Sequence, residues 1–352
     1  MISFSFARFG LVAALACCVP PALDCQGVIS TIEVPAPSLR GNLLGDPAVR
    51  AVSVYLPPSY SKAPARRFPV IYLLHGFAAD HRAFIAGAYQ NLNVRISMDS
   101  LIAAGRVREM IVVTPSARNR FDGSFYANSA ATGNWEDFIA RDLVRYVDRH
   151  YRTIPAASGR GIGGHSMGGY GALHVGSRNP GIFSAIYALS ACCLSTEMIG
   201  APNRAAAWKR ALSVTDTSQI RAAGFIPNVF MALSAVYAPN PARPPLFVDY
   251  PVRVESDTLV IVPGVMALWV PPLSLVERNL GSLKRMHIGF DAGSRDGFAD
   301  IPANARALHE RLTRLGVEHT YEEYDGTHGS RIRERLESVV FPFFSERLSR
   351  ER

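Results

Sequence analysis

The sequence predicts an α/β protein built on a mostly parallel, doubly wound sheet. Short runs of aliphatic, β-branched and aromatic residues alternate with stretches of helical character along most of the chain. Several of these runs are apolar throughout, as strands covered on both faces must be. The 352 residues, 48% hydrophobic and 19% charged, supply one large core and leave no long polar tract that reads as disordered.

Residues 1–26 read as a signal peptide, with 27–352 as the folded domain. Arg8 gives a basic start, Phe9–Val19 is an unbroken apolar run, and Pro20-Pro21-Ala22 ends it. The run is too short for a spanning helix, so no membrane span is expected in the mature chain. The expectation is export, to a periplasm or beyond. Ala14-Leu15-Ala16-Cys17 resembles a bacterial lipoprotein box only weakly, because its first position lacks the usual Leu.

The expected strands are Val49–Leu56, Pro69–Leu74, Glu109–Thr114, Arg160–Gly164, Phe183–Leu189, Arg285–Phe290 and Thr320–Tyr324. Helices are expected near Asn93–Ala104, Trp135–His150, Met167–Ser177, Pro302–Leu315 and Ile332–Leu348. From 194 to 283 this rhythm breaks. Prolines crowd the segment, and Thr258–Leu275 carries no charge yet is interrupted by Pro263, Gly264, Pro271 and Pro272. It reads as an insertion, a lid over the sheet's active edge that supplies an apolar wall. The alternative is an ornament that only adds core.

The net charge of +8 comes from scattered arginines, with lysine only at Lys62, Lys209 and Lys284. No basic face or helix gathers them, so nucleic acid is not the expected partner. Of the five cysteines Cys17 and Cys18 lie in the signal, and Cys25 goes with them if cleavage falls as late as residue 26; that count excludes a disulfide framework. Adjacent Cys192 and Cys193 point apart in an extended chain, so they read as apolar core thiols, with a bridge from one of them to Cys25 left open.

Chemistry concentrates at Gly164-His165-Ser166-Met167-Gly168, a G-x-S-x-G pattern between a strand and a helix. Such a turn thrusts the serine hydroxyl out of the sheet over a helix N-terminus, where developing negative charge is favoured. Serine needs a base, and the base needs an orienting acid. The loop Asp291–Asp296 follows one late strand and Asp325–Gly329 follows the next, so His328 is the expected base and Asp296 the expected acid, with Asp291 its rival. His165 is expected to point away from the active face. The tetrahedral oxyanion needs two donors, and the amides of Met167 and of Phe77, after Leu73-Leu74-His75-Gly76, are the candidates.

Leu73–Phe77, Gly123–Tyr126, Asn134–Phe138, Gly164–Gly169, Gly293–Asp296 and Gly326–His328 together resemble the esterase D-type family of α/β-hydrolases. That family includes S-formylglutathione hydrolases, feruloyl esterases and mycolyltransferases. The resemblance covers about 49–348. It implies Ser166, Asp296 and His328 as a triad, Phe77 and Met167 as the oxyanion pair, and Tyr126 and Trp135 as substrate-binding residues that shape or brace the active-site floor. Trp135 reads equally as helix packing. The function expected is serine-dependent hydrolysis of a carboxylic ester, feruloyl or another extracellular ester, small or polymer-linked, with no cofactor and no metal. The rival readings are acyl transfer to a sugar or lipid hydroxyl and an inactive binding module.

Overall fold

The computed structural model describes Met1 and residues 26–200, 204–255 and 258–349. Residues 2–25 of the expected signal, with Cys17, Cys18 and Cys25, lie outside the described residues. Eight strands form the main sheet: β1 (Val28–Pro35), β2 (Val49–Leu56), β3 (Val70–Leu74), β4 (Ile111–Pro115), β5 (Arg160–His165), β6 (Ala185–Leu189), β7 (His287–Gly293) and β8 (Thr320–Tyr324). Their spatial order is β1-β2-β4-β3-β5-β6-β7-β8. The pairs β1–β2 and β2–β4 are antiparallel, and every other pair in this sheet is parallel.

Strand β1 is absent from the sequence expectation. It is an edge strand in which only Val34 is buried, and Ser30, Thr31 and Glu33 interrupt its apolar signal. The inner strands explain why apolar runs mark this chain. Along β3, Val70, Tyr72 and Leu74 join the core on one face, while Ile71 and Leu73 join the core on the other.

Helices cover both faces. Helix α1 (Val94–Ala103) starts at Asn93, whose side chain accepts the amides of Arg95 and Ile96. It packs on one face with α7, a continuous helix over 332–347. The opposite face is covered by α2 (a continuous helix over 135–150), α3 (Met167–Arg178) and α6 (Asp300–Arg314). This is the α/β-hydrolase fold.

The insertion 194–283 is more helical than its prolines suggest. It contains α4 (Ala205–Ser213), α5 (Phe225–Tyr237) and a hairpin of Val252–Glu255 with Thr258–Ile261. Trp208 of α4 stacks on Phe230 of α5 with ring centroids 4.0 Å apart, and both rings belong to the main core. Thr258–Leu275 is divided into a strand and short helical turns, and among the described residues no helix is long and apolar enough to cross a membrane.

Candidate active site

Parallel strands deliver their following loops to one edge of the sheet, and the three expected side chains meet there. Ser166 sits between β5 and α3 at φ 58°, ψ −117°, a strained conformation for a residue with a side chain. The turn is possible because Gly168 lies against β3: a Cβ there would stand 2.5 Å from the carbonyl carbon of Leu74. The Ser166 amide donates to Leu189 O at 2.9 Å, which fixes the turn to β6.

His328 lies on the loop after β8. Its Nδ1 is 2.7 Å from Asp296 Oδ2 and its Nε2 is 2.9 Å from Ser166 Oγ. A carboxylate only accepts hydrogen bonds, so Nδ1 carries the proton and Nε2 presents its lone pair to the serine hydroxyl. The Asp296 side chain is fully buried, and its Oδ1 accepts the Phe298 amide at 2.8 Å. Two backbone bonds join the acid's loop to the histidine's, Ser294 N to Tyr324 O at 2.8 Å and Arg295 N to Gly326 O at 2.9 Å.

Asp291, the rival acid, lies within β7 rather than in the loop after it. Its carboxylate accepts from the Tyr187 hydroxyl at 3.1 Å and from Arg335 Nε at 3.0 Å. Burial pushes the carboxyl up to about 6 despite the guanidinium beside it. It fastens α7 to the sheet.

His165 departs from the expectation that it faces away. Its Nε2–H donates to the His328 carbonyl at 2.9 Å, and the two rings lie 4.8 Å apart. Burial holds the His165 imidazole down near 3, so it stays neutral. The His75-Gly76 segment before Phe77 is held in a similar way. His75 donates through Nδ1 to Gly76 O at 2.7 Å and accepts the Ala117 amide at Nε2 at 2.9 Å, with burial keeping it neutral down to about 4. The Gly76 amide donates to the Tyr89 hydroxyl at 3.1 Å.

The Met167 amide is the first of α3 and has no partner within the helix. Phe77 and Met167 are neighbours, since a Cβ on Gly123 would strike both side chains. Among the described residues no group of three or more His, Cys, Asp or Glu side chains is gathered to hold a metal.

The Esterase family model matches residues 47–224, half of the chain and the part that carries Ser166. The chain belongs to the Esterase family. Esterase Rv1288 of Mycobacterium tuberculosis is 30% identical over 138 residues, which are 38% of this chain and 27% of that protein. The match therefore spans only about a quarter of the curated relative's length. Among solved structures, a ferulic acid esterase superposes with a TM-score of 0.61 at 21% identity, covering 92% of this chain and 99% of that one. An S-formylglutathione hydrolase from Agrobacterium tumefaciens gives 0.58 at 18% identity, covering 92% and 97%. At such identities these two show the fold.

In this Esterase-family chain Tyr126 and Trp135 do not form a substrate surface, and that expectation is corrected. Both are fully buried. The Tyr126 hydroxyl donates to His75 O at 2.9 Å, bracing the Phe77 turn from behind. Trp135 Nε1 donates to Thr132 O at 2.8 Å, and the Arg50 guanidinium covers its ring. The reading of Trp135 as helix packing is the one the structure supports.

A cavity opens at Ser166 instead. Phe77, Phe125, Phe225 and Phe298 line it, with Met198, Ile226 and Val229 from the insertion and Ile301 from α6. Cys192 and Cys193 line it as well; Cys193 belongs to the main core and Cys192 packs against it, as their reading as apolar core thiols expects. Sequence reasoning missed Phe225, Ile226 and Val229. The available signal was the charge-free run Phe225–Tyr237, which folds as α5.

Proposed function

We propose that the protein is a serine-dependent carboxylic ester hydrolase, with Ser166 as nucleophile, His328 as base and Asp296 as orienting acid. The single observation that carries this reading is the unbroken relay of hydrogen bonds, 2.7 Å from Asp296 to His328 and 2.9 Å from His328 to Ser166. Membership of the Esterase family supports the reaction class.

In the first step His328 Nε2 takes the hydroxyl proton as Ser166 Oγ bonds to the ester carbonyl carbon. Negative charge moves to the carbonyl oxygen. The amides of Phe77 and Met167 are the donors proposed for it, the latter helped by the dipole of α3. The tetrahedral intermediate collapses, and the alcohol leaves with the proton from His328. Water then attacks the acyl-serine, His328 takes its proton, and the acid departs as the proton returns to Ser166. Asp296 keeps Nδ1 protonated and favours the transient imidazolium.

The acyl group is read from the cavity. Four phenylalanine rings and three aliphatic side chains favour an uncharged aromatic or branched acyl chain, so a feruloyl-type ester stays the leading substrate. Export through the residue 1–26 segment, giving access to esters outside the cell, is the proposed setting.

The test is hydrolysis of a panel of p-nitrophenyl and methyl esters with acetyl, long-chain and feruloyl acyl groups. Ser166→Ala should lose about 10⁴-fold or more in kcat while keeping its thermal midpoint. Equal turnover by the folded alanine variant overturns the proposal.

A further inference from the structure

The mechanism uses neither Cys192 nor Cys193, yet both are free thiols in the wall of the cavity at Ser166. Consecutive side chains in an extended strand point to opposite sides. Cys193 escapes that rule because its backbone takes φ 60°, and both residues line the same cavity. The segment that carries them is fixed in place. Ser190 N donates to Asp291 O at 2.8 Å, and Cys192 N donates to Ser166 O at 3.4 Å. A pair of sulfurs so held needs little further ordering to grip one atom between them.

We propose that Cys192 and Cys193 form a paired-thiol site within the acyl cavity. It takes soft, bidentate thiophiles of the trivalent organoarsenical class, and its occupation blocks ester turnover. The blocking half rests on the hydrolase reading given above; the binding half does not.

With phenylarsine oxide the reaction balances without an oxidant. Two As–S bonds form and two S–H bonds break. The arsenic-bound oxygen leaves as water with both protons, and arsenic stays trivalent. One sulfur alone makes a bond that excess monothiol exchanges away. The second closes a ring and raises the effective concentration of the first. The phenyl group then lies among Phe77, Phe125, Phe225 and Phe298, where the substrate's acyl chain has to enter.

The experiment uses the full chain and equimolar phenylarsine oxide in excess monothiol, followed by peptide mapping and ester assay. Mapping is essential because Cys17 and Cys18 are also adjacent. The expected result is a retained adduct on the peptide carrying Cys192 and Cys193, with turnover lowered about tenfold or more because the filled cavity excludes substrate. Both effects should be reversed by a small dithiol. Cys192→Ser and Cys193→Ser, each measured against its own untreated rate, should keep most of that rate and retain no adduct there. If a variant fails to fold, the map and dithiol reversal on the parent chain decide. No retained adduct at 192–193, one confined to Cys17–Cys18, or an adduct at 192–193 with undiminished turnover overturns the proposal. If the untreated protein turns over no ester at all, the hydrolase reading and the blocking half fail, while the mass readout still decides the paired-thiol site.

Discussion

Gly123→Ala is the perturbation that bears most directly on the proposed oxyanion donors. Gly123 lies between Phe77 and Met167, and its added methyl would stand 2.6 Å from Met167 Sδ and overlap the Phe77 ring. Ordinary contact begins near 3.4 Å, so something must move by about 0.8 Å. Met167 is fully buried and has no free space to enter, and Phe77, packed on Phe125 and Phe225 at 5.9 and 5.5 Å, can yield only into the cavity it lines. The displacement at Met167 therefore passes into the backbone that carries its amide. A misplacement of about 1 Å at a reacting centre costs about a hundredfold in rate. Because the interaction is made in the transition state, kcat and kcat/KM should fall together, with KM within about twofold of the parent. Overpacking should also cost about 1–3 kcal/mol of stability, read as a lower urea midpoint. Steady-state kinetics on p-nitrophenyl acetate, below the unfolding transition, is the assay. A folded alanine variant with kcat within about threefold of the parent would refute the reasoning.

Three other outcomes are expected. Asp296→Asn should lower kcat by about 10³- to 10⁴-fold by spoiling the His328 tautomer, whereas Asp291→Asn should not; equal losses in the same ester assay would reverse the assignment of the acid. Arg335→Leu strands the buried Asp291 carboxylate and should cost about 3–5 kcal/mol in urea unfolding at pH 7.5. Loss of the guanidinium lifts the Asp291 carboxyl further above 6, so that cost should shrink as pH falls from 7.5 towards 6, where the variant takes up its proton before the parent does; a cost that does not depend on pH would contradict it. Neutral His75, lowered to about 4 by burial from 6.5, contributes stability that is complete above pH 6.5 and is lost as pH falls through 4. The loss is about 3 kcal/mol, and His75→Gln should flatten the urea midpoint against pH across that window.

The readability of the elements follows their burial. Strands β2 and β8 match the expected spans, and β3 to β6 differ from theirs by one or two residues at an end. β1 escapes because an edge strand with one buried residue has little to pattern. At β7 the run was expected to stop at Phe290, because Asp291 reads as a loop residue. The strand goes on to Gly293 because Arg335, 44 positions later, satisfies that carboxylate. No local window contains that partner. His165 escaped for the same kind of reason, since its acceptor is a carbonyl 163 positions away. Ser166, His328 and Asp296 were legible because glycine-rich turns at strand ends mark them one by one. Tyr126 and Trp135 carried no such mark, and the resemblance alone placed them near substrate.

The two halves of the site come from different kinds of chain. The groups proposed to react hang on loops that leave buried parallel strands, and those loops are latched by backbone bonds such as Arg295 N to Gly326 O. The cavity is walled largely by Met198, Phe225, Ile226 and Val229 from the insertion and by Phe298 and Ile301 before and in α6. Exchanging an apolar side chain in a wall costs little beyond repacking, whereas a shift of about 1 Å in a latch breaks the relay. Substitutions in α5 can therefore redirect acyl preference while kcat on a small acetyl ester holds.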